Sequence, residues 1–278
     1  MRGSDSLHRW SQPLGTLFPA VPSVTRRGDL GLVDIWSLRY TVEEIADLVR
    51  LWSQRLPPEE RARARRFHFS KDRSQYIAAR ALIRTALSRY AAPRPSDWRF
   101  TSGPFGRPTI SIPLVKPSIY FNLSHTDGLI VCAVSVAHEA VGIDVERRDR
   151  ACMCMELSDV AFSQDELCVL EGLPHHERAL ECLVRWTLKE SYAKAIGIGL
   201  RASFDRMSFE LTGSDIRLPV ATRESERSVS GWRFALYDID CVGQIALAVH
   251  TNGAPLVVHT TPLRPDDCLP SDCRAPHV

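Results

Sequence analysis

What the chain lacks narrows its function first. No apolar run reaches the ~20 residues that cross a bilayer, so a membrane partner is not expected. Met1 to Trp10 holds no apolar leader stretch, which makes a cytoplasmic location the default reading. Charge of one sign is also missing: 35 Lys+Arg stand against 33 Asp+Glu, a net of +2. That balance is too even to announce a nucleic-acid binder. The 8 cysteines show neither paired C-x-x-C motifs nor the Cys/His spacing of a zinc site. Cys132, Cys168 and Cys182 fall inside apolar-periodic segments and read as reduced, small hydrophobes.

The 278 residues suffice for one large domain or two small ones. Residues 1–28 are rich in Pro, Ser, Arg and Gly, and residues 252–278 in Pro, Asp and Cys. Both read as poorly ordered ends, an extension and a flexible tail. Between them, period-2 and period-3.6 apolar patterns alternate. Strands are predicted at Leu32–Leu38, Ile119–Leu123, Leu129–Val136, Val141–Glu146, Met207–Leu211, Gly231–Ile239 and Gln244–His250. Helices are predicted at Val42–Leu56, Asp72–Tyr90, Gln164–Glu171 and Glu177–Ile196. Mixed content in each half gives an α+β class.

Chemistry concentrates in a few segments. In Val141-Gly142-Ile143-Asp144-Val145-Glu146 the apolar residues alternate with Gly142, Asp144 and Glu146. A strand of period two therefore sends both carboxylates to one face. That face is either a wet acidic edge or a seat for a hard divalent cation, which offsets like-charge repulsion. In Trp186-Thr187-Leu188-Lys189-Glu190-Ser191-Tyr192-Ala193-Lys194, Glu190 and Lys194 lie four apart on a helix face. They form either a routine ion pair or a third metal carboxylate with a phosphate-directed charge.

Three weaker features accompany these. Phe121-Asn122-Leu123-Ser124-His125 is a strand ending in two polar side chains, and Gly106-Arg107-Pro108 is a loop with the wrong spacing for a Walker phosphate loop. Arg61, Arg63, Arg65, Arg66, Arg73, Arg80 and Arg84 form a basic series that either solvates helices or pairs with phosphate. Ser163-Gln164-Asp165-Glu166 reads as a capping box, with Glu166 a less favoured candidate base.

Together these segments resemble the 4′-phosphopantetheinyl transferases of the longer, surfactin-synthetase-activating type. The family strand G-[IV]-D-x-E is matched by Gly142 to Glu146, and the helix W-x-x-K-E-[SA]-[FY]-x-K by Trp186 to Lys194. F-N-[LIV]-S-H is matched by Phe121 to His125, and G-[KR]-P by Gly106 to Pro108. The resemblance spans about Pro57 to Leu200.

It implies two similar α/β halves, 29–138 and 139–251, with the cofactor in the cleft between them and the metal site in the second. It implies transfer of 4′-phosphopantetheine from coenzyme A to a serine of an acyl- or peptidyl-carrier protein, with Mg²⁺ as cofactor. Asp144, Glu146 and Glu190 would hold the ion, and Asp144, Glu190 and Lys194 would be catalytic, with Glu190 the first candidate base. Asp144, Lys189, Glu190 and Lys194 would contact the coenzyme A pyrophosphate side, Lys189 as a neighbour of Lys194. Arg63, Arg80, Gly106, Arg107, Pro108, Ser124 and His125 would meet its nucleotide end. Glu59 and Glu60 stand where some relatives carry lysine, which weakens phosphate contacts on that side. With both halves in one chain, a monomer is expected. The alternative is a non-catalytic protein that binds coenzyme A or carrier protein.

Overall fold

Two apolar strand runs, Leu129–Ser135 and Gly243–His250, are buried along nearly their whole length, and a four-stranded sheet forms around each. The computed structural model describes residues 12–13, 32–103, 106–213, 215–218, 230–239 and 242–270. The first part runs β1 (Gln12–Pro13), β2 (Leu32–Arg39), α1 (Ala46–Arg55), α2 (Pro58–Arg65), α3 (Ser70–Leu87), β3 (Arg99–Ser102), β4 (Pro108–Ile112), β5 (Tyr120–Thr126) and β6 (Leu129–Ser135). Then follow β7 (Val141–Arg147), α4 (Ala151–Glu156), α5 (Ser158–Ala161), α6 (Gln164–Glu171), α7 (His175–Ile196), β8 (Glu210–Thr212) and β9 (Asp215–Arg217). The chain closes with β10 (Trp232–Ile239), β11 (Gly243–His250) and β12 (Val257–Leu263).

The two sheets repeat one plan. One has the order β12-β2-β6-β5 and the other β1-β10-β11-β7. Each begins with a parallel edge pair and continues with antiparallel ladders. The edge strands are exchanged: β1, from the first half of the chain, joins β10, while β12 crosses back to β2. The α+β class and the paired halves expected from the sequence are therefore present.

Side-chain alternation builds the layers. Val33, Ile35, Val131, Ala133, Ile143, Val145, Ile245 and Leu247 form a core between the sheets. The opposite face of the first sheet, with Trp36, Leu38, Ile130, Cys132 and Val134, packs on α1 and α3. The opposite face of the second, with Ala246 and Ala248, packs on α7 residues Leu188, Tyr192 and Ala195. Small residues on that face let α7 approach the sheet closely.

Three differences from expectation have physical reasons. The tail expected at 252–278 contains β12, and the Trp52 indole donates to the Cys268 carbonyl. Its Pro and Asp content hid a strand that pairs with the distant Leu32–Leu38. Helix α2 was read merely as a basic run because it buries only Glu60 and Ala64, too little for an apolar stripe. Residues 1–11, 14–31, 104, 105 and 271–278 lie outside the described residues, so most of the expected extension and the end of the tail do too. No described helix is long and apolar enough to cross a membrane.

Candidate active site

Gly142 sets the geometry of the site. A Cβ there would lie 2.8 Å from Ala195 Cβ and closer still to the Ser191 carbonyl and the Ala195 amide. Only hydrogen at this position lets α7 lie directly on β7. The period of two then brings Asp144 beneath the helix face that carries Glu190 and Lys194. The C-terminal stop of α7 is Gly197 in the left-handed conformation, φ 78°.

The first half supplies the other wall. Asn122 Oδ1 accepts from the Ile143 amide at 3.0 Å and so ties β5 to β7. Two residues on, Ser124 Oγ donates to Asp144 Oδ1 at 2.8 Å. Lys194 Nζ donates to that same Asp144 oxygen at 2.6 Å and to Ser124 Oγ at 2.9 Å. Arg150 donates to Glu146 Oε2 at 3.0 Å, and the Trp186 indole also reaches the Glu146 carboxylate. Asp144 Oδ2 and Glu190 Oε1 are buried without a hydrogen-bond partner among the described residues.

Such burial makes charge expensive. Desolvation, then the Asp144 and Glu146 charges, push the Glu190 carboxyl up to about 7. Glu146 is raised by desolvation and by Asp144. Desolvation against the cleft wall, followed by the Lys194 ammonium, lowers the His125 imidazole, although part of its ring meets solvent. The three acids thus feel one another. Among the described residues, however, no three His, Cys, Asp or Glu side chains are grouped as a ready-made metal cage. Lys194 pairs with Asp144, and Arg150 pairs with Glu146.

The expected nucleotide-side residues divide. The Arg63 and Arg80 guanidinium groups lie 5.7 and 5.1 Å from the Tyr76 ring centre. Arg80 Nη1 and Tyr76 Oη are buried without partners, so this cluster retains free donors. Arg84 is wholly buried, bonded to Glu60 at 2.7 Å with its Nε left without a partner, and stacked 4.9 Å from the Phe100 ring centre, while Arg80 lies 3.8 Å from the same Glu60 carboxylate. Gly106 makes a turn with φ 82°, and Pro108 opens β4. Arg107 is committed to the junction of the halves, donating to the Ala195 carbonyl at 2.9 Å and the Val141 carbonyl at 3.2 Å. It also borders a cavity of about 340 Å³ lined by Pro108, Ile110, Tyr120 and Phe121.

Lys189 departs from expectation. It is fully buried on another face of α7 and donates to the Ala161 and Phe204 carbonyls at 2.8 and 2.7 Å. A residue one step from Glu190 points about 100° away around the helix, which separates it from the cleft. The capping box holds: Ser163 accepts from the Glu166 amide, and Glu166 accepts from the Ser163 amide. Glu166 further accepts from the Phe209 amide and pairs with Lys189 and Arg185. Sequence reasoning missed Arg150, Tyr76 and Trp186 as site neighbours. The only signals were the Arg147–Arg150 basic run and an aromatic one turn before Arg80.

Comparison with known proteins agrees with this geometry. A model of the 4′-phosphopantetheinyl transferase superfamily matches residues 140–250, and a model of the 4′-phosphopantetheinyl transferase N-terminal region matches 45–137. The chain is similar to the 4′-phosphopantetheinyl transferase HetI of a Nostoc species, 28% identical over 72% of this chain and 82% of the relative. It is also similar to the 4′-phosphopantetheinyl transferase Sfp of Bacillus subtilis, 30% identical over 56% of this chain and 66% of the relative. A phosphopantetheinyl transferase of a Thraustochytrium species is 31% identical over 64% of this chain and 66% of the relative. With both halves of its cleft matched by models of one enzyme family, the chain belongs to the 4′-phosphopantetheinyl transferases, which load carrier proteins with the phosphopantetheine arm of coenzyme A.

Proposed function

We propose that the chain uses Mg²⁺ for this transfer and that Asp144 and Glu190 are the side chains that hold it, with Glu146 alongside. The observation that carries this reading is the pair of buried, partnerless oxygens, Asp144 Oδ2 and Glu190 Oε1. Mg²⁺ commonly takes one or two carboxylates and completes its shell with waters and substrate phosphates, so a full protein cage is not required. The residues fit that demand. When bound, the ion supplies a Lewis acid for phosphate oxygens.

The chain's own groups do the rest. Lys194 stands 2.6 Å from Asp144 and is within reach of any anion brought to that carboxylate. Its ammonium neutralises charge that develops on the pyrophosphate. Glu190, beside Asp144 and Lys194, is the first candidate to take the proton of the incoming carrier serine, directly or through water. Glu166 is not suited to it, because its oxygens already accept from two amides and pair with two cations. Arg63, Arg80 and the Tyr76 hydroxyl form the anion-binding group for the nucleotide end, with His125 on β5 of the same half. Six described cysteines are free, which supports a cytoplasmic enzyme. Both halves belong to one chain, so a monomer suffices.

Calorimetric titration with coenzyme A tests the metal assignment. Mg²⁺ tightens binding to the wild type and does not tighten binding to Asp144→Asn. Equal Mg²⁺ dependence in both proteins would remove Asp144 from the role.

A further inference from the structure

The W-x-x-K-E helix carries two stripes with different environments. Trp186, Glu190 and Lys194 recur every four residues on the stripe that meets the acids of β7. Glu181, Arg185 and Lys189 recur every four residues on a second stripe, where Arg185 and Lys189 are buried. On that stripe Lys189 pairs with Glu166 at 2.5 Å, and Arg185 pairs with Glu166 at 3.4 Å and Glu181 at 2.9 Å. Arg185 also donates to the Phe209 carbonyl at 2.7 Å.

These charges are not on a ligand surface. Glu166 is 1% exposed and Lys189 0%. Their bonds tie in the end of α5 at Ala161 and the stretch Phe204 to Phe209, while the bond to Ser163 caps Glu166's own helix α6. A buried charge group with this many mutual contacts resists displacement, because losing one member strands the others in a dry site.

The route from this group to the acids is short. Lys189 fixes the Phe204 carbonyl, and the Phe204 ring packs on Trp186 with centres 5.6 Å apart. The Trp186 side chain in turn lies beside the Glu146 carboxylate. Lys189 also fixes the rotation of α7 one residue before Glu190.

Resting on the transferase reading above, we propose that Lys189 and Glu166 act as one buried unit that positions Glu190 and, through Phe204 and Trp186, Glu146. Lys189 is a positioning residue and does not touch coenzyme A.

The test uses Lys189→Met, the milder Glu166→Gln, and the double variant, each in the full chain. Supporting groups behind metal ligands typically carry ~10- to 100-fold in activity. Each single variant is expected to lower kcat by about 10-fold or more, with the coenzyme A KM within about twofold of wild type. The double variant is expected to be no worse than the poorer single, since both break the same unit. The Trp186 indole N–H resonance, assigned by Trp186→Phe, moves in both single variants and stays in place in Lys71→Ala.

A large rise in coenzyme A KM with kcat retained in Lys189→Met would overturn the proposal, as would single effects that multiply in the double variant. An unmoved indole resonance would overturn it without reference to turnover. Absence of transfer by the wild type would instead count against the transferase reading, and the resonance would still decide the positioning claim.

Discussion

Gly142 and Ser191 are in such close apposition that a methyl group on Gly142 would run into the Ser191 backbone carbonyl. Strand β7 and helix α7 therefore meet backbone to backbone, and Asp144 and Glu190 owe their proximity to that contact. Gly142→Ala must push the helix outward. The expected cost is about 3 kcal/mol, with transfer lost even in the fraction that folds. Chemical denaturation checks the stability, and an activity assay on the folded protein checks the site.

Glu190 offers a clean separation of stability from function. Its Oε1 has no hydrogen-bond partner, so Glu190→Gln removes no such bond at that atom. Stability should hold or improve. Turnover should fall by roughly 10²-fold or more, the scale of a lost general base. Thermal melts beside steady-state kinetics measure both. A loss of stability with turnover retained would assign Glu190 to the scaffold.

The same carboxyl predicts a pH dependence in the metal-free protein. Its folded value of about 7 lies above the ordinary 4.5. Between those values the folded state keeps a proton that the unfolded state has lost. Stability therefore falls as pH rises from about 4.5 to about 7, by an amount on the order of 3 kcal/mol from this group alone. Glu190→Gln should lack that decline, so the two stability curves converge at low pH and separate above neutrality. Adding Mg²⁺ with coenzyme A should reverse the decline in the wild type.

Lys194 bridges Ser124 and Asp144, with its side chain 26% exposed. Lys194→Ala leaves Asp144 Oδ1 with Ser124 as its remaining hydrogen-bond donor. A charge-assisted contact to phosphate is worth ~1.5–3 kcal/mol, so the coenzyme A KM should rise by roughly 10- to 100-fold. Competition between Lys194 and a metal ion for Asp144 should also disappear. Half-activation by Mg²⁺ is then expected at equal or lower concentration in the variant, read from an Mg²⁺ titration of the initial rate.

Much of this site was legible in the sequence because local periodicity controls it. Alternation in Val141–Glu146 places Asp144 and Glu146 on one face, and helical spacing places Glu190 above Lys194. The capping role of Glu166 was equally local, since Ser163 and Glu166 are three residues apart. What local patterns lack is direction between elements. Lys189 is adjacent to Glu190, yet its partners Ala161, Phe204 and Glu166 come from three other segments. Glu60 likewise looked like a missing phosphate contact, whereas packing of α2 on α3 makes it the partner of Arg84. Strand β12 was hidden because it pairs with β2, more than 200 residues earlier.

The account stands or falls on acidic side chains from β7 and α7 serving a metal-dependent transfer. Intact-mass spectrometry of an apo carrier protein incubated with coenzyme A and the enzyme reads this directly. The carrier gains one phosphopantetheine with Mg²⁺ and the wild-type chain, and gains none with chelator or with Asp144→Asn. A gain that survives both chelation and the Asp144 substitution, or no gain with any carrier protein, would contradict it.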